Sequence, residues 1–479
     1  KIKKMTMSMT ITMILMSLVL LICIFSTKAL YKFGVPSLLI FMILGMLFGS
    51  EGIVGIQFSD YNLAGKVGSF ALLFIMFYGG FCTNWKMAKP EFPKALLMST
   101  VGVIITSVVT GLFCTLVLKV TILEGLLVGA VVASTDAASV FSILRSQKLN
   151  LKGGLASILE VESGSNDPCA YLITITLLTL MSGGNSGSLL KTVVFQIVFG
   201  VLVGFILSKI GAYILKNIKF EIEGLYPIFV IAIAILSYSL SEWLGGNEYL
   251  SVYIAGIIMG NSKIHNKKSL VKFFDGISWL MQITLFFMLG LLSFPSQLKY
   301  VAVPGFLISI FLIVVARPIS TFAVLTPFKV PIKQQLFISW VGLRGAASIV
   351  FAILAVTHKA FLESDIFHIV FFIALFSVSI QGTLIATIAR KLDLVDDETI
   401  VLKTFNDYQD EMSTQLFEKQ VTEESKCANK TIMDANIPDE VLVVMIKRDG
   451  KILHPKGATM IKAGDTLVLA GDSFDSVPI

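Results

Sequence analysis

The chain has 479 residues, of which 55% are hydrophobic and only 15% charged, and its mean hydropathy is +0.84. Soluble proteins carry roughly 25% charged residues, so the composition excludes a water-soluble globular protein. The formal net charge of +6 comes from lysines and arginines in short loops between apolar segments, which argues against nucleic-acid binding and is typical of orientation in a membrane.

Apolar stretches of about twenty residues recur from the start of the chain to about residue 391, as bilayer spans require. We predict an all-α polytopic membrane protein with about thirteen transmembrane helices. The predicted spans are 7–27, 35–50, 61–82, 94–118, 122–145, 153–181, 189–215, 225–243, 247–261, 271–293, 302–325, 333–357 and 366–391. The first is interpreted as a span and not as a cleaved signal peptide.

Loop charge predicts the orientation of these spans. Alternating loops carry clusters of cations such as Lys86 and Lys89, whereas the loops between them carry acids such as Glu51, Glu242 and Glu363. By the positive-inside rule the cationic loops and the C-terminus are cytoplasmic.

After Lys391 the composition becomes that of a soluble domain. We predict a membrane domain over 1–392, a linker over 393–403 and a small cytoplasmic α/β domain over 404–479. Strands are predicted at 441–446, 452–454 and 466–470, with a hairpin turn at 448–451.

The sixth predicted span concentrates polar groups. Glu162, Ser163, Asn166 and Asp167 lie there, followed by Pro168, and the spacing places Ser163 with Asp167 and Glu162 with Asn166 on shared faces of a helix. Ionisable groups inside a span cost roughly 2.5–3.5 kcal/mol each on insertion scales. Their oxygens suit a monovalent cation, and a desolvated carboxylate also binds a proton readily. The alternative is a polar helix that merely packs inside the bundle.

The fifth span contains the polar string Ser134-Thr135-Asp136, which indicates an interrupted helix whose free ends line an ion site. Asp136 would neutralise the N-terminus of the second half-helix. The alternative is a polar patch that faces a loop.

The twelfth span contains Gly342-Leu343-Arg344-Gly345, a second predicted break. It follows the first by seven spans, as an inverted repeat would require. We predict that Arg344 pairs with Glu162. Arg317 either pairs with Glu160 or lies near an interface.

These three strings resemble those of the monovalent cation:proton antiporters, and most closely the bacterial NhaP-like potassium/proton branch. The resemblance implies thirteen spans with inverted repeats and crossed broken helices, a homodimer, and an elevator-like movement. It also implies that Asp167 carries cation and proton, that Thr135, Glu162 and Ser163 contribute oxygens, and that Asp136 and Asn166 hold the crossing. Asn166 before Asp167 implies electroneutral exchange.

One position departs from this pattern. Relatives often have Phe-Asp-Gly-Gly in the third span, whereas this chain has Phe77-Tyr78-Gly79-Gly80. The effect of this replacement on pH response and ion preference is left open.

The tail resembles an RCK C-terminal (TrkA-C-like) regulatory domain. This resemblance implies pairing across a dimer and, as one alternative, regulation by cyclic di-AMP or another nucleotide at Ile452, His454 and Pro455. The other alternative is a plain dimerisation module.

The predicted function is exchange of potassium, or alternatively sodium, for protons across the bacterial plasma membrane, in the service of pH homeostasis. A ligand-gated cation channel is the rival, although no segment suits a filter built from symmetric rings of donors. No nucleophile–base pair, phosphate loop or metal-ligand cluster appears, so we expect no enzyme activity, no cofactor beyond the possible regulatory nucleotide, and no metal beyond the transported cation.

Overall fold

The structure is a computed structural model that describes residues 9–31, 36–147, 149–184, 186–358, 360–396 and 415–471, the last range with gaps at 424, 426, 436, 439–440 and 449–450. The chain divides into two compact units, Lys1–Leu402 and Lys403–Ile479. Most of the predicted linker, 393–403, lies outside the described residues.

The first unit is helical. Its helices begin with α1 (Met9–Tyr31), α2 (Ser37–Phe48), α3 (Tyr61–Cys82), α4 (Trp85–Ala88), α5 (Phe92–Leu97), α6 (Val103–Leu118), α7 (Ile122–Val131), α8 (Ala137–Ser146), α9 (Leu155–Met181) and α10 (Ser186–Asn217). They continue with α11 (Leu225–Trp243), α12 (Glu248–Gly260), α13 (Lys267–Leu292), α14 (Pro295–Phe311), α15 (Arg317–Leu325), α16 (Ile332–Trp340), α17 (Ala346–Thr357), α18 (Ile366–Phe376) and α19 (Thr383–Lys391).

Several of these helices join end to end through short π-helical segments. Such segments connect α5 to α6, α14 to α15 and α18 to α19. With these joins, eight helical segments among the described residues are long and apolar enough to cross a membrane, and four shorter apolar helices accompany them. The mostly helical membrane architecture is therefore confirmed, while the number of thirteen spans stays a prediction.

Two predicted spans are interrupted at their polar strings. The span predicted over 122–145 is split into α7 and α8, and the one predicted over 333–357 is split into α16 and α17. Ser, Thr and Asp side chains compete with the backbone for hydrogen bonds, which disfavours a continuous helix at the first string. Both breaks therefore lie where the sequence predicts them.

Small residues let neighbouring helices approach closely. A Cβ added to Gly45 of α2 would lie 2.1 Å from the Phe287 carbonyl oxygen of α13, and one on Gly290 would lie 2.2 Å from the Met42 carbonyl oxygen. In lipid no hydrophobic force drives helices together, so close van der Waals contact between backbones of this kind stabilises their packing. Close packing of this kind builds the scaffold in which α9 buries Glu162 and Asn166.

The second unit contains a four-stranded antiparallel sheet. Its strands are β1 (Gln415–Gln420), β2 (Leu442–Arg448), β3 (Lys451–Leu453) and β4 (Thr466–Gly471), in the order β1-β4-β2-β3. Three of them match the predicted strands, and Arg448 pairs with Lys451 across the predicted hairpin. The described residues of this unit form strands and turns. They support a small strand domain, and the helical part of the predicted α/β domain is not found among them.

A partly buried ion pair connects this sheet to the turn before β4. Arg448 Nε and Nη2 donate to the two Asp465 carboxylate oxygens, each at 2.7 Å, and the Lys462 N–H donates to Asp465 Oδ2 at 2.7 Å. Burial alone would raise the pKa of Asp465, but these hydrogen bonds and the charges of Arg448 and Lys462 outweigh it and lower the pKa.

Candidate cation and proton site

The two helix breaks meet inside the bundle. The first spans residues 132–136 between α7 and α8, and the second spans residues 341–345 between α16 and α17. The Asp136 N–H of the first donates to the Leu343 carbonyl of the second at 2.8 Å. Irregular backbone at membrane depth requires such internal partners, because lipid offers none. The breaks therefore form one crossing of half-helix ends, an arrangement that suits ion binding.

Side chains of α9 hold the first break in place. Ser163 Oγ accepts a hydrogen bond from the Ala137 N–H at 2.8 Å and donates to the Thr135 carbonyl at 2.8 Å. Asn166 Nδ2 donates to Thr135 Oγ1 at 2.5 Å. The sixth predicted span thus supplies the polar groups that satisfy the interrupted fifth span.

Asp136 caps the helix that follows the break. Its carboxylate accepts hydrogen bonds from the Ser139 N–H at 3.3 Å and from the Ser139 hydroxyl at 2.6 Å. A negative charge here also interacts favourably with the positive end of the α8 dipole. The geometry agrees with a structural role for Asp136 at the N-terminus of the half-helix.

Asp167 lies half-buried beside the first break, where it accepts a short hydrogen bond from the Ser134 hydroxyl. Next to it, Asn166 Oδ1 is buried and accepts no hydrogen bond among the described residues. A buried oxygen with an unused lone pair is costly unless a ligand occupies it. The carboxylate, the hydroxyl and the amide oxygen are donors that suit a monovalent cation.

Arg344 of the second break serves the first break directly. Its fully buried guanidinium donates through Nη1 to the Ala133 carbonyl at 2.7 Å and to the Ser134 carbonyl at 2.9 Å. Its backbone N–H donates to Ser377 Oγ at 3.1 Å. The end of α7 leaves these carbonyls without partners inside the helix. The positively charged guanidinium of Arg344 therefore lies at the negative end of that half-helix.

The predicted pairing of Arg344 with Glu162 is therefore wrong. Glu162 Oε1 instead accepts a short, buried hydrogen bond from Arg317 Nη2, and the two side chains form an ion pair. A Cβ on Gly342 would lie 2.8 Å from Arg317 Nε, so Arg317 also packs against the second break. Spacing along the chain did not reveal that the free carbonyls of the first break would attract Arg344 and leave Glu162 to Arg317.

Some participants were not predicted as site residues. The sequence places Ser134 only within the polar string of the fifth predicted span, yet its hydroxyl contacts Asp167. Ser377 and Gln381 lie in the π-helical segment between α18 and α19, and Gln381 Nε2 donates to the Trp340 carbonyl at the end of α16, at 2.5 Å. The sequence signal that could have identified Ser377 and Gln381 is that they are polar residues within an otherwise apolar segment.

The position that departs from the family pattern has an acidic neighbour. Tyr78 Oη donates to Asp275 Oδ1 of α13 at 2.8 Å. An acidic group is therefore present beside Tyr78, although it comes from a different helix.

The predicted regulatory residues lie in and directly after β3. Ile452 belongs to β3 and is opposite Lys447 in the register, while His454 is exposed and Pro455 half-buried just after the strand. Their assignment to a ligand stays a prediction.

Comparison with known proteins gives two family matches. The description "Sodium/hydrogen exchanger, transmembrane" matches residues 15–391, and "TrkA-C domain" matches residues 416–475. The second match confirms the predicted RCK C-terminal type of the tail.

Similar proteins carry the names of antiporters. The chain is 34% identical over 446 residues to the K(+)/H(+) antiporter NhaP2 of Shewanella baltica, covering 92% of this chain and 77% of the relative. It is 34% identical over 472 residues to the K(+)/H(+) antiporter NhaP of Alkalimonas amylolytica, covering 96% and 81%.

A solved structure, that of the sodium proton antiporter MjNhaP1 from Methanocaldococcus jannaschii at pH 8, matches with a TM-score of 0.71 at 25% identity. It covers 81% of this chain and 99% of that one. These names do not support the channel alternative. With two breaks that cross beside a half-buried carboxylate, and with a family match over most of its length, the chain belongs to the sodium/hydrogen exchanger family of cation/proton antiporters.

Proposed function

We propose that the chain exchanges potassium for protons, one for one, across the bacterial plasma membrane, and that Asp167 binds the two ions in turn. The observation that carries this proposal is the half-buried Asp167 carboxylate, hydrogen-bonded to Ser134 at a helix break. A group with one negative charge in such a place is neutralised equally well by a cation or by a proton, so the two compete.

The neighbouring residues have distinct proposed roles. Thr135, Ser163 and Asn166 contribute oxygens or hold the backbone that does, as their mutual hydrogen bonds suggest. Asp136 maintains the crossing as the cap of α8. Glu162 supplies an oxygen near the cation while Arg317 balances its charge.

Potassium is favoured over sodium for two reasons. The relatives from Shewanella and Alkalimonas are named potassium/proton antiporters. The TrkA-C match adds a type of domain that suits potassium transport. The archaeal neighbour, which is named a sodium proton antiporter, keeps sodium as the alternative ion.

The proposed working form is a homodimer of thirteen-span subunits with inverted repeats, in which a core domain moves like an elevator. The two breaks, at residues 132–136 and 341–345, support this architecture, since broken helices that pair at an ion site are typical of transporters with inverted repeats. The C-terminal domain is proposed to lie in the cytoplasm and to regulate exchange. Cyclic di-AMP is the proposed ligand at Ile452, His454 and Pro455, and dimerisation alone is the alternative.

The test is proton movement in proteoliposomes driven by each cation in turn. We expect potassium-driven exchange by the unmodified chain and its loss in Asp167→Asn, with normal exchange in Glu363→Gln, which changes an exposed carboxylate. Exchange retained by Asp167→Asn would contradict the assignment of the carrier. A larger proton flux with sodium than with potassium would contradict the proposed preference for potassium. A proton flux that cyclic di-AMP does not change would favour a C-terminal domain that serves only for dimerisation.

A further inference from the structure

Tyr253 of α12 is a buried tyrosine, only 3% exposed, whose hydroxyl has no hydrogen-bond partner among the described residues. Two other tyrosine hydroxyls of the bundle do have partners. That of Tyr226 accepts a hydrogen bond from the Phe220 N–H at 3.1 Å. That of Tyr78 donates to Asp275 at 2.8 Å. A buried hydroxyl without a partner is costly, and phenylalanine would fill the same space without that cost. The hydroxyl of Tyr253 therefore indicates a ligand that is not part of the chain.

Two glycines make room for the ring of Tyr253. A Cβ on Gly164 of α9 would lie 2.5 Å from the ring atom Cε2 and 2.6 Å from Oη. A Cβ on Gly80 of α3 would lie 3.2 Å from the ring atom Cδ2. Any side chain at Gly164 would therefore overlap the phenol. The ring crosses from α12 past α3, and its hydroxyl ends on the surface of α9.

The hydroxyl contacts α9 one turn before Asp167. Gly164 and Asp167 are three residues apart, so they share a face of the helix, on which Cβ atoms at this spacing are about 5–6 Å apart. Helical side chains lean toward the N-terminus of their helix, so the side chain of Asp167 leans toward the level of Gly164. Helix α12 also covers α9 beyond Asp167, where Asn247 Nδ2 donates to the Pro168 carbonyl at 2.8 Å. Asp167 therefore lies between two contacts of α9 with α12.

Two further hydroxyls, those of Thr83 and Ser165, lie close to the Tyr253 hydroxyl. They belong to the residues three after Gly80 and one after Gly164, the two glycines that flank the ring. Each of these hydroxyls donates its proton to a carbonyl of its own helix, so both oxygens present lone pairs. Oxygen lone pairs can replace the hydration shell of a monovalent cation. The surroundings of the Tyr253 hydroxyl therefore suit such an ion.

The loop charges place this hydroxyl on the cytoplasmic side of Asp167. Helix α3 ends just before the cationic loop of Lys86 and Lys89, and α9 begins just after Lys152. Because Gly164 precedes Asp167 in α9, it lies nearer to these cationic loops. The Tyr253 hydroxyl is thus on the path between them and Asp167.

We infer that the Tyr253 hydroxyl is an oxygen ligand of the transported monovalent cation on the cytoplasmic side of Asp167. It contacts the cation as the ion moves between the cytoplasm and the Asp167 carboxylate, and it replaces part of the water that the ion loses there. The phenol keeps its proton throughout. This inference rests on the proposed function, since it presupposes that Asp167 binds the cation.

The experiment measures exchange in everted membrane vesicles, in which the cytoplasmic face of the full chain is exposed to added potassium chloride. Tyr253→Phe removes one oxygen and keeps the ring. We expect the apparent KM for potassium to rise about tenfold, as for a lost contact with a charged ligand, while the maximal rate stays within about twofold. In right-side-out vesicles the KM at the outer face should change by less than about twofold.

Tyr226→Phe is the matched control, because it removes a hydroxyl that has a partner inside the protein. It should lower the melting temperature in detergent and leave the KM unchanged. Tyr253→Phe should raise the KM and leave the melting temperature without potassium equal or higher, since no hydrogen bond is lost. An unchanged cytoplasmic KM in Tyr253→Phe would overturn the inference. An equal rise of the KM at both faces would overturn the cytoplasmic placement.

Potassium binding gives a second readout that does not depend on transport. Potassium chloride should raise the melting temperature of the purified protein relative to choline chloride at the same ionic strength. Tyr253→Phe should need about tenfold more potassium for the same rise. The same potassium dependence in Tyr253→Phe and in the unmodified chain would contradict the assignment of the ligand. If Asp167→Asn still exchanged ions, the proposed function itself would fail, which is a separate outcome.

Discussion

The ion pair between Glu162 and Arg317 makes a sharp prediction, because the sequence alone favoured a different partner. Replacing Arg317 with Met removes the positive charge but keeps much of the side-chain volume. We expect a large loss of stability in Arg317→Met and a much smaller one when Glu162→Leu is added to it. The charge exchange Glu162→Arg with Arg317→Glu should rescue partly, whereas Glu162→Arg with Arg344→Glu should not.

The magnitude follows from burial. The two side chains of the pair are 3% and 1% exposed, so the single substitution leaves a carboxylate in the bundle without a cation. Breaking a buried pair in this way costs about 3–5 kcal/mol, whereas replacing both partners by apolar residues is often close to neutral. Glu162 Oε2 lacks a hydrogen-bond partner among the described residues, so no second hydrogen bond already holds this carboxylate when Arg317 is removed.

The assay is the melting temperature of the purified protein in detergent. It is read from the amount of protein that still elutes at its normal position in size-exclusion chromatography after heating. Arg317→Met should lower it by several degrees, and the double apolar variant should recover most of that loss. A stability of Arg317→Met equal to that of the unmodified chain would refute the reasoning. So would rescue by the Arg344 charge exchange in place of the Arg317 one, since it would restore the pairing that the structure contradicts.

Two further predictions concern the crossing and the sheet unit. A Cβ at Gly345 would lie 2.5 Å from the Cβ of Asp136, so Gly345→Ala should abolish exchange in proteoliposomes; Gly276→Ala, where no atom lies within 4 Å, should leave it unchanged. Because Arg448 and its neighbours lower the pKa of Asp465 below its unfolded value, the ionised carboxylate stabilises the sheet at neutral pH. This contribution is fully present above the unfolded pKa of about 4 and is lost as the pH falls below it, through the lower pKa of the folded state. Hydrogen exchange of the 415–471 peptides in the full chain should show that loss in the unmodified protein and not in Asp465→Asn, which should be less protected already at neutral pH.

Much of the membrane fold could be predicted from the sequence because lipid imposes strict rules on it. Apolar length and loop charge located the helices, and polar strings at membrane depth located both breaks. The strands of the tail were similarly visible as short apolar runs between turns. The strand β1 was not predicted, since its sequence, Gln415–Gln420, mixes polar and charged residues at the edge of the sheet.

The partners of buried charges could not be predicted in the same way. The sequence shows that a carboxylate and two guanidinium groups lie within spans, but the choice among them depends on helix rotation and on which carbonyls the breaks leave free. Arg344 and Glu162 illustrate this point, because each lies in the predicted element and binds a different partner from the predicted one.

The charges of the crossing bear on the stoichiometry of exchange. Among the residues that the contacts above place at the two breaks, Asp136, Glu162 and Asp167 carry three negative charges, and Arg317 and Arg344 carry two positive ones. The crossing therefore has one negative charge in excess when every group is ionised. Since Glu162 is paired with Arg317, and Asp136 is held by its cap and the adjacent helix end, Asp167 is the group left to be neutralised. One monovalent cation or one proton does so equally. Under the proposed elevator-like movement, a site that must be neutral to cross the apolar interior will carry either of them but not both. The charge arrangement thus supports the proposed exchange of one cation for one proton, on a physical ground separate from the resemblance that Asn166 carries.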